Sequence, residues 1–204
     1  MNVSLEVLDG VRELITIGVG RSAGMLNRLT KAHVTLTVPE VRISDVASEY
    51  YLRSALCTMN PEDTSHVILK FSGELTGSLN LIIPHSSALN LVIILTGEDG
   101  SPDEMDALRV ETLLEVGNII ISSVMSAISI VLTSRLSFQF PSYQTGKCDS
   151  TSPVIITQSD IGIIARIWFQ LQQKEIEGDL FILLNRESFE HLDTCIRTAM
   201  EKGL

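Results

Sequence analysis

The chain has 204 residues, 45% of them hydrophobic but only 5% aromatic, with 25 acidic against 15 basic side chains and a formal net charge of -10. That length holds one large domain or two small ones, and a charged fraction of 20% excludes a disordered chain, because so much aliphatic surface collapses out of water. The acid excess and the lack of any run of Lys and Arg argue against binding to a phosphate backbone, so nucleic acid is not an expected partner.

The N-terminus MNVSLEVLDG carries acids and no basic region, which is unlike a signal peptide and points to the cytoplasm. From Asp9 to about Lys31 the pattern is helical, with a stripe of Asp9, Glu13, Thr16, Gly20, Gly24, Asn27 and Lys31. Gly18, Gly20 and Gly24 are costly in mid-helix, so close packing within the fold or docking of a partner is expected there. The run GVGRSAG from Gly18 follows a helix rather than a strand and lacks GxGxxG spacing, so it is no dinucleotide loop. A strand follows, with Val34, Leu36 and Val38 inward and Pro39 at its end. Next come a hairpin turning near Ser72 to Thr76 and a helix near Ser86 to Leu95.

Ser101, Pro102, Asp103 and Glu104 read as the start of a second long helix, with Ser as N-cap and Pro at the first position. Its segment from Leu113 to Leu132 imitates a membrane span in length and apolarity. Yet Glu111, Glu115, Asn118, Ser122, Ser126, Ser129 and Thr133 recur at intervals of three and four and share one face. A lone span containing Glu and Asn is expensive, so this predicts a core helix with a thin polar edge and no membrane insertion. Leu136, Phe138 and Phe140 then alternate as the inward side of a strand stopped by Pro141, and Gln144 to Pro153 reads as a surface loop. A second hairpin near Gln172 to Glu177 and a helix near Glu187 to Glu201, ending before Gly203, close the chain. Cys57, Cys148 and Cys195 show no CxxC spacing, and His33, His66, His85 and His191 show no ligand spacing, so no metal site is expected.

The two halves repeat one plan. Glu13 and Glu115, Thr16 and Asn118, and Pro39 and Pro141 are each 102 positions apart, while Gly77 and Gly178 begin similar strands at an offset of 101. Each copy reads as a long helix, a strand ending at proline, a linker, a hairpin and a closing helix. The expectation is a single α/β domain over residues 1–204, a pseudo-twofold internal duplication of about 1–100 and 101–204. Its two long helices are apolar over most of their circumference and pack centrally on a β-sheet.

Glu115 and Asn118, three apart on one face, can serve one small site. A carboxylate holds a cation or accepts a proton, and a carboxamide donates and accepts at once, so it can orient water. The same pair also suits a merely wet edge of a buried helix. The spacing of Glu111, Glu115 and Asn118, then 22 residues and Pro141, resembles the CheC, CheX and FliY phosphatases of chemotaxis, CheC above all, although Glu111 stands where that family has Asp or Ser. In the first copy Asp9, Glu13 and Pro39 match, as does the run Ile17-Gly18-Val19-Gly20, but Thr16 stands where the family has Asn.

The resemblance implies hydrolysis of the aspartyl phosphate of a CheY-type response regulator. It gives Asn118 the role of aligning the attacking water and Glu115 that of docking the regulator's lysine. Such an enzyme needs no cofactor of its own, Mg²⁺ belonging to the phosphorylated regulator. It leaves Glu13 and Thr16 as a degenerate first site or a docking surface. Two further readings follow from the same resemblance: a regulator-binding module without hydrolysis, like the rotor-switch proteins, and an adaptor for the deamidase CheD, which some CheC proteins bind.

Overall fold

In the computed structural model the described residues are 3–29, 33–45, 64–97, 104–146, 160–171 and 174–203. Ser4 caps the first helix, α1 (Leu5–Leu29), by accepting from the Val7 N–H at 3.4 Å, and Glu6 and Arg28 suit the two ends of its dipole. Strand β1 (Val34–Asp45), the hairpin β2 (Thr64–Ser72) and β3 (Gly77–Pro84), and helix α2 (His85–Thr96) complete the first half. The second half follows with α3 (Ala107–Ile128), β4 (Ser137–Phe138), β5 (Ser142–Gly146), the hairpin β6 (Asp160–Leu171) and β7 (Lys174–Asn185), and α4 (Arg186–Glu201).

The seven strands among the described residues form one antiparallel sheet in the order β1-β6-β7-β3-β2, with β4 and β5 both paired to the outer edge of β2. Each half thus lends its first strand to the hairpin of the other. At the centre, the β3 and β7 register sets Asn80 opposite Phe181, and the Asn80 amide also donates to the Phe181 carbonyl at 3.2 Å. These two residues differ by the repeat offset of 101, and an antiparallel pair in which a residue faces its own equivalent carries a twofold axis through that point. The fold is the expected pseudo-twofold duplication.

The main core joins the four described helices to one face of the sheet, and a smaller cluster of Ile82, Phe181 and Leu183 occupies the alternate strand positions. The main core takes Val67, Leu69 and Phe71 from β2, Leu79, Leu81 and Ile83 from β3, and Leu180, Ile182 and Leu184 from β7, at the period of two that a pleated strand imposes. Helix α3 is long and apolar enough to cross a bilayer, yet 61% of its most apolar window is buried inside the protein. Leu113, Val116, Ile120, Val124 and Ile128 supply that buried side.

Several sequence expectations need correction. Helix α3 starts at Ala107, capped by Asp106, whose carboxylate accepts the Arg109 N–H at 2.9 Å; Glu104 lies before it, and Ser101 to Asp103 fall outside the described residues. Pro39 does not end β1. It sits in a register shift between Thr37 and Glu40, after which the inward positions change from Val34 and Leu36 to Val41. One extra residue in an edge strand does this, and proline, lacking an N–H, is tolerated there. The matching Pro141 lies in the break between β4 and β5, so the strand resumes beyond it and Gln144 to Gly146 are paired rather than looped; 147–153 lie outside the described residues. Nor do Phe138 and Phe140 point inward: they are 49% and 96% exposed.

Candidate functional site

The polar stripe of α3 faces outward as its period requires. Glu111, Glu115, Ser122 and Ser126 are exposed and Asn118 is half-buried. Ser129 caps the helix end, and Thr133 lies in the loop beyond. Glu111 and Glu115 make no hydrogen bond or ion pair with any described residue, so both carboxylates are available to a partner. Asn118 is held differently: the Ser122 hydroxyl, one turn on, donates to its Oδ1 at 3.1 Å. That bond fixes the carboxamide plane and leaves the Asn118 NH₂ pointing away from Ser122.

The same stripe continues into a cavity of about 540 Å³ lined by Ser122, Ser126, Ser129, Thr133, Leu136 and Phe138. Its far wall, the loop after α3, is pinned by Glu74 from the β2-β3 turn, which accepts from Thr133 N, Thr133 Oγ1 and Ser134 N.

On α1 the matching stripe is also outward, with Asp9, Glu13, Thr16, Gly20 and Gly24 exposed. Asp9 pairs with Arg12 at 3.8 Å, and Glu13 has no partner among the described residues. The Thr16 hydroxyl donates to the Arg12 carbonyl at 2.7 Å, one turn back in its own helix. It is therefore spent on the backbone and does not present a polar group as Asn118 does. Pro39 and Pro141 belong to the two edge strands and touch neither stripe by any hydrogen bond. Asn27 ties α1 to β1 instead, exchanging bonds with the Val34 N–H and carbonyl at 2.6 and 2.9 Å.

Of Gly18, Gly20 and Gly24, only Gly18 is packed. A Cβ there would lie 2.4 Å from the Val124 Cα, so it sets the close approach of α1 to α3. Gly20 and Gly24 have nothing within 4 Å of a Cβ, which removes packing within the fold as their reason.

Two groupings escaped the sequence reading. Ser122 was visible as a member of the stripe, but its bond to Asn118 depends on rotamers that spacing does not fix. His191 and Cys195 lie four apart on α4, a usable ligand spacing, and meet Glu74 from another element. The pair joins one His to one Cys, so spacing within either residue type alone does not show it.

The site can position water and receive a cation. It is poorly equipped for covalent catalysis, because α3 contains no His, Cys or Lys to activate its serines. The class it defines is a twofold α/β scaffold that offers exposed helix faces to a partner.

No family model matches the sequence. The chain is 26% identical over 204 residues to the CheY-P phosphatase CheC of Bacillus subtilis, covering 92% of each. It superposes on Thermotoga maritima FliY with a TM-score of 0.74 at 16% identity, over 97% of this chain and 99% of that one. On the FliM middle domain from H. pylori the values are 0.67 and 15%, over 95% and 99%. In sequence the chain is similar to CheC, and in fold to the FliY and FliM chains of chemotaxis.

Proposed function

We propose that the chain hydrolyses the aspartyl phosphate of a CheY-type response regulator, using α3. The observation that carries this reading is an exposed Glu115 without a partner, one turn from an Asn118 whose carboxamide is already oriented by Ser122. The Glu115 carboxylate pairs with the regulator's active-site lysine and docks the helix. Asn118 enters the phosphorylated pocket and holds a water in line with the phosphorus. Glu111, four residues earlier, adds negative charge facing the same partner. The enzyme thereby supplies position rather than a nucleophile, and orientation alone is worth several powers of ten in rate. The Mg²⁺ that steadies the phosphoryl oxygens comes with the regulator, and the reaction takes place in the cytoplasm.

Thr16 and Glu13 form the weaker counterpart on α1. Glu13 retains the docking charge, and Thr16 lacks the reach and the acceptor that aligns water. The likeness to the Bacillus subtilis phosphatase over 92% of the chain supports hydrolysis. The likeness of fold to the FliM middle domain supports a second reading, a regulator-binding switch module without turnover. CheD is a further partner to test on the same surfaces.

The deciding measurement is phosphate release from a phosphorylated CheY-type regulator with Mg²⁺ in excess. The wild type accelerates it, and Asn118→Ala lowers the rate by ~10²–10³, the usual cost of removing a positioning donor. Glu115→Ala raises the regulator concentration needed. Wild-type rates in Asn118→Ala would end the site assignment, and tight binding with no acceleration by the wild type would favour the switch module. Thr16→Asn is expected to add activity, detectable in an Asn118→Ala background where the second site is silent.

A further inference from the structure

The β2-β3 turn, the loop after α3 and α4 converge on a cluster that hydrolysis on α3 does not use. Glu74 Oε1 lies 2.7 Å from His191 Nε2, and Cys195 Sγ lies 3.6 Å from the same nitrogen. One ligand atom from each residue falls within 4.8 Å of the others. His191 and Cys195 are four apart on α4, so their side chains leave the same helical face. A tetrahedral site with bonds of about 2.0–2.3 Å sets nitrogen and sulfur about 3.6 Å apart and nitrogen and oxygen about 3.3 Å apart. The His191 and Cys195 spacing already has that value, and Glu74 needs only to withdraw by about 0.6 Å to reach the other.

The carboxylate is also braced from behind. Thr133 N and Oγ1 and Ser134 N donate to it, the outer-shell support that fixes a metal-ligating carboxylate. The Glu74 side chain is 9% exposed and that of His191 42%, so an ion reaches the site from the α4 side and keeps a water as fourth ligand.

We propose that Glu74, His191 and Cys195 bind a zinc-class divalent cation. One thiolate and one imidazole select Zn²⁺ over Mg²⁺ or Ca²⁺, which prefer oxygen alone. Binding forms a metal–sulfur and a metal–nitrogen bond: the Cys195 thiol proton goes to solvent, and the Nε2 proton that His191 shares with Glu74 is exchanged through solvent for one on Nδ1, so that the neutral ring offers its Nε2 lone pair to the ion in place of that hydrogen bond. The ion ties α4 to the turn and, through Glu74, to the loop that walls the cavity beside α3. It is a structural clamp, and it stands whether or not the phosphatase reading does.

The test uses the full chain, chelator-treated and fully reduced, titrated with Co²⁺ as a spectroscopic probe. A thiolate-to-cobalt charge-transfer band saturating at one equivalent and abolished by Zn²⁺ is expected. It vanishes in Cys195→Ser, persists in a Cys57→Ser and Cys148→Ser double variant, and needs at least tenfold more Co²⁺ in His191→Ala. Absence of the band in the wild type, or its survival in Cys195→Ser, overturns the site. As a measurement independent of the variants, stoichiometric Zn²⁺ raises the wild-type Tm while Mg²⁺ does not; equal responses to the two ions also overturn it.

Discussion

At the scale of single residues, the contrast between the two repeats lies in where one polar group is spent. Thr16 closes a bond to its own helix at Arg12, whereas Asn118 is turned outward and held by Ser122. A neutral hydrogen bond is worth about 1 kcal/mol net, so Ser122→Ala should slow dephosphorylation about fivefold. Binding of the regulator, measured separately by titration with the unphosphorylated form, should stay unchanged. A loss of binding instead of rate would mean that Ser122 contacts the partner rather than Asn118. The identities and spacing of Glu115 and Asn118 were legible in the sequence because a helix converts intervals of three and four into one face. The orientation of the carboxamide was not legible, since it depends on a rotamer choice that period does not encode.

At the scale of the elements, α1 and α3 pack tightly because Gly18 has no side chain where the backbone of Ser123 and Val124 passes. Gly18→Val should destabilise the fold by about 1–3 kcal/mol, as overpacking does. Gly20→Ala and Gly24→Ala should instead stabilise by up to ~1 kcal/mol each, the difference in helix propensity, because both positions open on solvent. Urea denaturation of the three variants separates these cases, and a destabilised Gly20→Ala would refute the assignment of open space. Helices α2 and α4 fall within a residue or two of where capping and period put them, whereas α1 begins at Leu5 rather than Asp9 and α3 is capped by Asp106 rather than Ser101. The edge strands were read worst. Alternation in Leu136, Phe138 and Phe140 resembles a buried strand, but an edge strand broken at Pro141 does not keep one face inward.

At the scale of the whole molecule, a histidine and a carboxylate make stability depend on acid. His66 on β2 is 5% exposed, and burial lowers its pKa to about 4. Between about pH 6.5 and 4 the unfolded chain takes up a proton there and the native one does not, so stability falls as pH falls through that window. His66→Gln removes this limb, and its urea midpoint should vary less than that of the wild type between those pH values. Parallel curves would show that another group governs. A second limb lies lower. Glu74 is held down to about 2 by His191 and by the Thr133 and Ser134 donors, against the pull of burial. Its contribution is present above the ordinary carboxylate value of 4.5 and is lost as pH falls toward 2, releasing the loop after α3.

The sequence by itself determined the duplication, the two long helices and the composition of their outward stripes, because repeat offset and helical period are properties of the chain alone. Tertiary structure decided what depends on neighbours from other elements. It exchanged the first strands between the halves and put Pro39 and Pro141 inside interrupted edge strands rather than at their ends. It also distinguished Gly18 from Gly20 and brought Glu74 to His191 and Cys195 across 117 positions in one case. Such contacts join distant segments whose local patterns are complete without them, so only the folded chain brings them together.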